Sequence, residues 1–205
     1  MTEYFYPQRM GRIILLAMEE VIGKEGVHSA LNLSSLASYA DHYPDARSEK
    51  TFPFKAVTQL QESLEQVYGP QGGRGTALRT GRACFQYGLR EYDSMLGITE
   101  MAFRLLPLST KIHSGAKLFA DLFNKQTDQR VRIEEIDNML FWHIERCPLC
   151  WERKTTQPVC HLAVGLLQEA LYWLSSGKIF KVEEIACIAR GDPACTIAID
   201  RMPLS

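Results

Sequence analysis

The spacing of apolar residues predicts helices in the first part of the chain. Between Ile13 and Ile22 apolar side chains recur every three or four positions and stop at Gly23, as on one face of a helix. The glycine-rich stretch GPQGGRG (69–75) is predicted to be a loop. Further helices are predicted near 28–40, 54–69, 78–89, 98–106 and 109–124.

After residue 130 the pattern changes to alternation, which is typical of half-buried strands. One predicted hairpin turns at Asp137-Asn138, a helix follows over 160–177, and a second hairpin turns at Gly191-Asp192-Pro193. Helices followed by hairpin, helix and hairpin indicate an α+β fold, in which N-terminal helices pack with an antiparallel sheet of about four strands. We predict a single domain over 1–205, with a mainly helical part at 1–125 and a hairpin-helix-hairpin part at 126–205.

Charge and hydropathy narrow the classes of partner. The net charge of -1 predicts no nucleic-acid partner, because phosphate binding needs a clustered basic excess. The longest apolar run, at 13–18, is too short for a transmembrane segment, and the N-terminus lacks the pattern of a secretory signal. We therefore expect a cytoplasmic protein with reduced thiols. No catalytic residue is predicted, since GxSxG, a βαβ-linked GxGxxG and a phosphate-binding GK[ST] motif are all missing from the sequence.

Cysteines are the strongest candidates for chemistry. Cys84 stands alone on a predicted helix and is expected in the core, whereas the other five cysteines fall between residues 147 and 195. This clustering favours a metal site, with buried inert thiols as the alternative. A redox pair at Cys147 and Cys150, or an iron–sulfur cluster, is a weaker alternative.

The second hairpin can be tested for metal geometry on paper. If Gly191-Asp192-Pro193 forms a three-residue loop, Cys195 lies opposite Ala189 and shares a face with Cys187. Strict alternation places Glu184 on the other face, so Glu184 can reach the same ion only if a bulge re-aims it.

Several of these residues together resemble the 4-vinyl-reductase (hydrocarbon-binding) domain family. The resemblance rests on Glu184-x2-Cys187, on GDPAC ending at Cys195, and on Cys160 at the start of a glycine-containing helix. It is strongest over about 140–200 and extends more loosely through GRACFQYGL and VYG. The family includes phenol-sensor domains and a bacteriochlorophyll-biosynthesis protein, and its fold is akin to that of TRAPP subunits.

The resemblance implies a structural zinc ion held by three cysteines and one glutamate, which correspond to Cys160, Glu184, Cys187 and Cys195. Cys147 and Cys150 are additional to that set, so they replace Glu184, bind a second ion or take no part. His161 is a further substitute ligand or a neighbour of the ion.

The resemblance also implies a cavity for a hydrophobic small molecule and a homodimer. We expect a zinc-stabilised binding or carrier protein, with a tetrapyrrole intermediate of (bacterio)chlorophyll biosynthesis as the specific ligand. A vinyl reductase or reductase subunit, and a dimeric protein-interaction scaffold, are the alternatives. The candidate ligand-binding residues are His113, Phe119, Phe123, Phe141, Trp142 and Trp173.

Overall fold

The computed structural model describes residues 3–34, 36–96, 103 and 105–204. Within them the chain is a mixture of helices and antiparallel strands, so the predicted α+β class is confirmed. The helix predicted at 98–106 lies largely outside the described residues. The helices are α1 (Gln8–Leu33), α2 (Phe54–Leu96), α3 (Leu108–Gln126) and α4 (His161–Leu174). The strands are β1 (Phe5–Pro7), β2 (Lys50–Pro53), β3 (Arg130–Ile136), β4 (Met139–Arg146), β5 (Phe180–Ala186) and β6 (Cys195–Pro203).

The main sheet has the strand order β3-β4-β6-β5, and every neighbouring pair is antiparallel. The two predicted hairpins are therefore joined by their second strands, with Trp142 of β4 paired to Ile197 of β6. Alternation along β4 buries Leu140, Trp142 and Ile144. This buried face of the sheet closes one side of the core.

The predicted loop at 69–75 is wrong, because α2 continues through it. Gly69 alone leaves the helical conformation, with φ 72° and ψ 170°, and Pro70 then suits the first turn of the resumed helix. A Cβ at Gly73 would lie 2.6 Å from the Cα of Glu65. The glycines thus allow the two halves of α2 to pack closely at a kink, and a similar break occurs in α1 at Gly23.

A second close contact joins α2 to α4. A Cβ at Gly81 would lie 2.0 Å from the carbonyl oxygen of Leu162, and one at Gly165 would lie 2.0 Å from that of Leu78. The two helices therefore cross with backbone against backbone. This crossing fixes the position of the first turn of α4, at Cys160, against the middle of the molecule.

Hydropathy along the helices excludes one arrangement. Of the helices in the described ranges, none combines the length and the apolar content that a membrane crossing requires.

Candidate metal centre and apolar cavity

Five buried cysteines from separate segments meet at one end of the sheet. Cys147 and Cys150 flank a short 3-10 turn (Pro148–Cys150) after β4, and Cys160 precedes the first residue of α4. Cys187 follows β5, and Cys195 begins β6. Each of the five is at most 1% exposed, whereas Cys84 lies elsewhere in the core, as its position predicts.

The sulfur atoms lie at distances that suit shared coordination. The Sγ atom of Cys160 is 3.6 Å from that of Cys195 and 3.9 Å from that of Cys187, which is itself 3.9 Å from Cys195. On the other side, Cys147 lies 3.5 Å from Cys160, and Cys150 lies 3.3 Å from Cys195. A cluster of this kind can hold a metal ion.

Glu184 joins the cluster through a β-bulge. It pairs with Ile197, whereas Ala186 pairs with the adjacent Thr196, so strand β5 has one extra residue at this point. One carboxylate oxygen of Glu184 accepts a hydrogen bond from the backbone N–H of Cys160 at 2.7 Å. The other is buried and has no hydrogen-bond partner among the described residues. Burial, followed by the charge of the nearby Cys187, raises the pKa of Glu184 to about 9.

The ligand atoms form two overlapping groups, and within each group all atoms lie within 4.8 Å of one another. Both groups contain Cys160 and Cys195; neither includes His161, whose pKa burial lowers to about 4. One group is Cys147, Cys150, Cys160 and Cys195, and the other is Cys160, Glu184, Cys187 and Cys195.

The predicted three-residue loop between β5 and β6 is wrong. The chain forms a 3-10 turn (Ile188–Arg190) before reaching β6, so Cys195 does not pair with Ala189. The carboxylate of Asp192 accepts a hydrogen bond from the backbone N–H of Cys187 at 2.8 Å and so closes this turn. Local side-chain bonding, which alternation does not register, brings the two sulfurs together.

Two buried polar side chains of α2 hold the cysteine-bearing segments in place. The Gln61 amide donates to the carbonyl oxygen of Leu149 at 3.3 Å and to that of Val159. The Thr58 hydroxyl donates to the carbonyl oxygen of Pro148 at 2.6 Å. Sequence analysis missed both residues; their only signal is polarity beside the apolar stripe of α2.

An apolar cavity of about 90 Å³ lies next to the cluster, between the helices and the main sheet. Aromatic rings form much of its lining. Phe85 and Phe119 have ring centroids 5.7 Å apart, and Phe123 meets Trp142 edge to face at 6.3 Å. Three of the candidate ligand-binding residues, Phe119, Phe123 and Trp142, therefore lie together on the cavity.

The other three candidates lie away from this lining. His113 has a 54% exposed side chain and contacts Glu135 at 2.7 Å. Phe141 stacks on His143 on the opposite face of β4, as strand alternation requires. Trp173 lies in a separate surface depression near the end of α4.

Three polar side chains reach the cavity, and sequence analysis did not nominate them. The Tyr6 hydroxyl donates a hydrogen bond to the side-chain carbonyl of Gln129. The Tyr92 hydroxyl is buried and has no partner among the described residues. Burial raises the pKa of Tyr92 to about 12, so the group is a neutral hydroxyl at ordinary pH. The cavity is thus apolar with a hydrogen-bonding group available.

The metal centre and the cavity share structural elements. Leu149, between Cys147 and Cys150, and Leu162, two residues after Cys160, both line the cavity. Displacing the cysteine-bearing segments would therefore displace part of the cavity wall.

Solved structures define the class of fold. An H-NOX protein from K. algicida has a TM-score of 0.60 to this chain at 16% identity, covering 95% of each. An H-NOX protein from S. oneidensis, in the Fe(II)NO ligation state, has a TM-score of 0.58 at 13% identity, covering 94% of this chain and 98% of that one. The phenol-responsive sensory domain of the transcription activator PoxR, solved with phenol, has a TM-score of 0.53 at 20% identity, covering 70% and 72%. At these identities the likeness shows the fold alone.

Sequence comparison relates the C-terminal part of the chain to one family. The family model of the 4-vinyl-reductase domain matches residues 140–201, so the predicted similarity to that family is confirmed. The matched segment contains the whole metal-binding cluster. The uncharacterized protein MJ0745 of Methanocaldococcus jannaschii is 25% identical over 114 residues, which are 55% of this chain and 60% of that protein. This chain therefore spans less than two thirds of the curated relative that it matches.

Proposed function

We propose that this protein binds a small apolar molecule, about the size of one aromatic ring, in the cavity beside a structural zinc site. The observation that supports this is the aromatic-lined cavity of about 90 Å³ with the unpartnered hydroxyl of Tyr92. An apolar ligand there would leave water and would give the lining atoms contacts that an empty space cannot provide.

The volume of the cavity favours a single ring. An engineered apolar cavity of roughly 150 Å³ holds benzene, so one ring fits here after small outward movements. Met10, which lines the cavity, has a flexible side chain suited to such adjustment. Drug-sized ligands occupy pockets of roughly 300–1,000 Å³. A tetrapyrrole would require the helices to separate from the sheet, and its carriage is the competing outcome of the binding test.

The polar groups favour a ring that bears a hydroxyl. A buried hydroxyl without a partner costs about 1–3 kcal/mol, and a ligand hydroxyl bonded to Tyr92 would recover part of that cost. The PoxR sensory domain, which shares the fold, was solved with phenol. Both observations support a phenol-like ligand for this chain.

Zinc suits the donor atoms. Tetrahedral coordination with Zn–S bonds of about 2.3 Å separates the sulfurs by roughly 3.8 Å. The three separations among Cys160, Cys187 and Cys195 are 3.6, 3.9 and 3.9 Å. The unpartnered oxygen of Glu184 is a fourth donor that lacks a cation. With four protein ligands the zinc would be structural, and it would hold Leu149 and Leu162 against the ligand.

The test is calorimetric titration of the zinc-loaded full chain with phenol, toluene and, separately, protoporphyrin. We expect phenol to bind with a Kd of about 0.1–1 mM, as suits a small ligand, and more tightly than toluene. Absence of binding by either ring would overturn the proposal. Binding of protoporphyrin alone would replace it with tetrapyrrole carriage.

A matched pair of variants locates the site. Gly88 lines the cavity, and no atom lies within 4 Å of a Cβ built on it, so Gly88→Met should fill the cavity and abolish phenol binding. Gly75 lies on the same helix with the same free space but does not line the cavity, so Gly75→Met should bind phenol normally. Equal affinities in the two variants would place the ligand elsewhere.

A further inference from the structure

We propose that the cysteine cluster holds two zinc ions bridged by the thiolates of Cys160 and Cys195. This inference rests on the proposed zinc site and extends it from one ion to two. One ion would take Cys147 and Cys150 as its outer ligands, and the other would take Glu184 and Cys187.

The overlap of the two ligand groups carries the argument. Each group has four donor atoms within 4.8 Å of one another, which is the number that a tetrahedral zinc ion requires. The groups differ in their outer pairs and share only Cys160 and Cys195. Two four-coordinate ions with two common ligands need six donor residues, and six are present.

The separation of the shared sulfurs suits bridging. The Sγ atoms of Cys160 and Cys195 are 3.6 Å apart. With Zn–S bonds of about 2.3 Å, two ions on either side of this pair would lie roughly 3 Å apart. Each ion would then face its own outer pair, since Cys147 and Cys150 lie at 3.5 and 3.3 Å from the bridging sulfurs and Cys187 lies at 3.9 Å from both.

A single ion would leave buried donors unused. If the ion took the four-cysteine group, the buried oxygen of Glu184 would remain without a partner. If it took the group with Glu184, Cys147 and Cys150 would remain as idle thiols, each 1% exposed, in contact with its ligands. Buried polar groups are normally satisfied, and two ions satisfy all six.

The surrounding backbone suits a cluster with residual negative charge. Five thiolates and one carboxylate around two Zn²⁺ ions leave a net charge of about −2. The backbone N–H of Ile188 points at the Sγ atom of Cys195 at 3.3 Å. Cys160 lies at the N-terminus of α4, where the helix dipole favours negative charge. Both bridging sulfurs therefore lie next to positive backbone dipoles.

The first measurement is the metal content of the full chain after loading with excess zinc and desalting, by native mass spectrometry. We expect two zinc ions per chain. One ion per chain would overturn the bridged cluster and leave the single structural zinc of the proposed function intact. No ion at all would overturn both metal proposals, whereas phenol binding is measured independently.

A second measurement uses the wild-type chain and so does not depend on the folding of any variant. Cadmium-113 NMR of the cadmium-loaded protein should give two resonances that split each other through the shared sulfurs. A single resonance, or two without mutual coupling, would overturn bridging.

Variants then assign the outer ligands. Cys147→Ala should lose one ion, and so should Glu184→Gln, because each removes an outer ligand of a different ion. Cys84→Ala, which removes a buried thiol outside the cluster, should retain two ions. Retention of two ions by both Cys147→Ala and Glu184→Gln would overturn the assignment.

Discussion

The crossing of α2 and α4 makes a quantitative prediction at Gly165. In Gly165→Ala the new Cβ would lie 2.0 Å from the carbonyl oxygen of Leu78 and 2.9 Å from its Cα. Carbon and oxygen atoms in contact normally lie about 3.3–3.6 Å apart, so the helices would have to separate by more than ~1 Å. The obstructing atoms belong to the backbone of a helix and have no rotamer by which to move away.

The expected cost follows from two opposing effects. Overpacking costs about 1–3 kcal/mol, and at this backbone contact we expect the upper part of that range. Alanine recovers at most about 1 kcal/mol through its higher helix propensity. The net loss of about 2 kcal/mol should lower Tm by about 4–8 °C in a chain of this size. Because α4 begins beside Cys160 and contributes Leu162 to the cavity, phenol affinity should fall as well.

The assay is thermal unfolding of Gly165→Ala against Gly75→Ala. Gly75 lies in a helix, and a Cβ built on it would have no atom within 4 Å, so this variant gains only the helix-propensity contribution of about 1 kcal/mol. Its Tm should rise by about 2–4 °C. If both variants shift in the same direction, or if Gly165→Ala unfolds at the wild-type temperature, the inferred backbone contact is refuted.

Three further outcomes test the cavity and its supports. Tyr92→Phe should be at least as stable as the wild type to urea, since it removes an unpartnered buried hydroxyl, and should bind phenol about five-fold more weakly while toluene affinity is unchanged; equal loss for both ligands would contradict a hydrogen bond. Gln61→Leu should lose about 2–3 kcal/mol of unfolding free energy, because it leaves carbonyls of both cysteine-bearing segments unpaired, and a neutral result would refute that role. Chelation of the metal should lower Tm and phenol affinity together, as titration before and after chelator treatment would show; unchanged affinity would contradict the shared wall.

The sheet could be predicted from sequence because alternation is a local signal. Burial of Trp142 and exposure of its neighbours to the other face follow from a period of two along β4. The stretch 69–75 could not be predicted in the same way, since its glycines serve a tertiary contact. Gly73 is needed against Glu65, and Gly81 against α4, and neither requirement is visible until the helices are packed.

The candidate site divides along the same line. The cysteines could be nominated because their clustering in sequence is itself unusual, and the resemblance added Glu184. Tyr6 and Tyr92 could not be nominated, because packing alone brings the N-terminal strand and the end of α2 to one cavity. The bulge that re-aims Glu184 also depends on pairing with β6, which sequence spacing does not determine.

Metal and ligand should stabilise each other, for a structural reason. The chain between the cysteine turn and α4, 151–159, has no helix or strand, so few backbone hydrogen bonds fix it. Its supports are the bonds from Gln61, one bond from the N–H of Thr155 to the carbonyl oxygen of Ala189, and the cluster itself. A metal that orders this segment also positions Leu149 and Leu162 at the cavity. Binding free energies are reciprocal, so a ligand that binds better to the metal-loaded protein must raise metal affinity by the same factor.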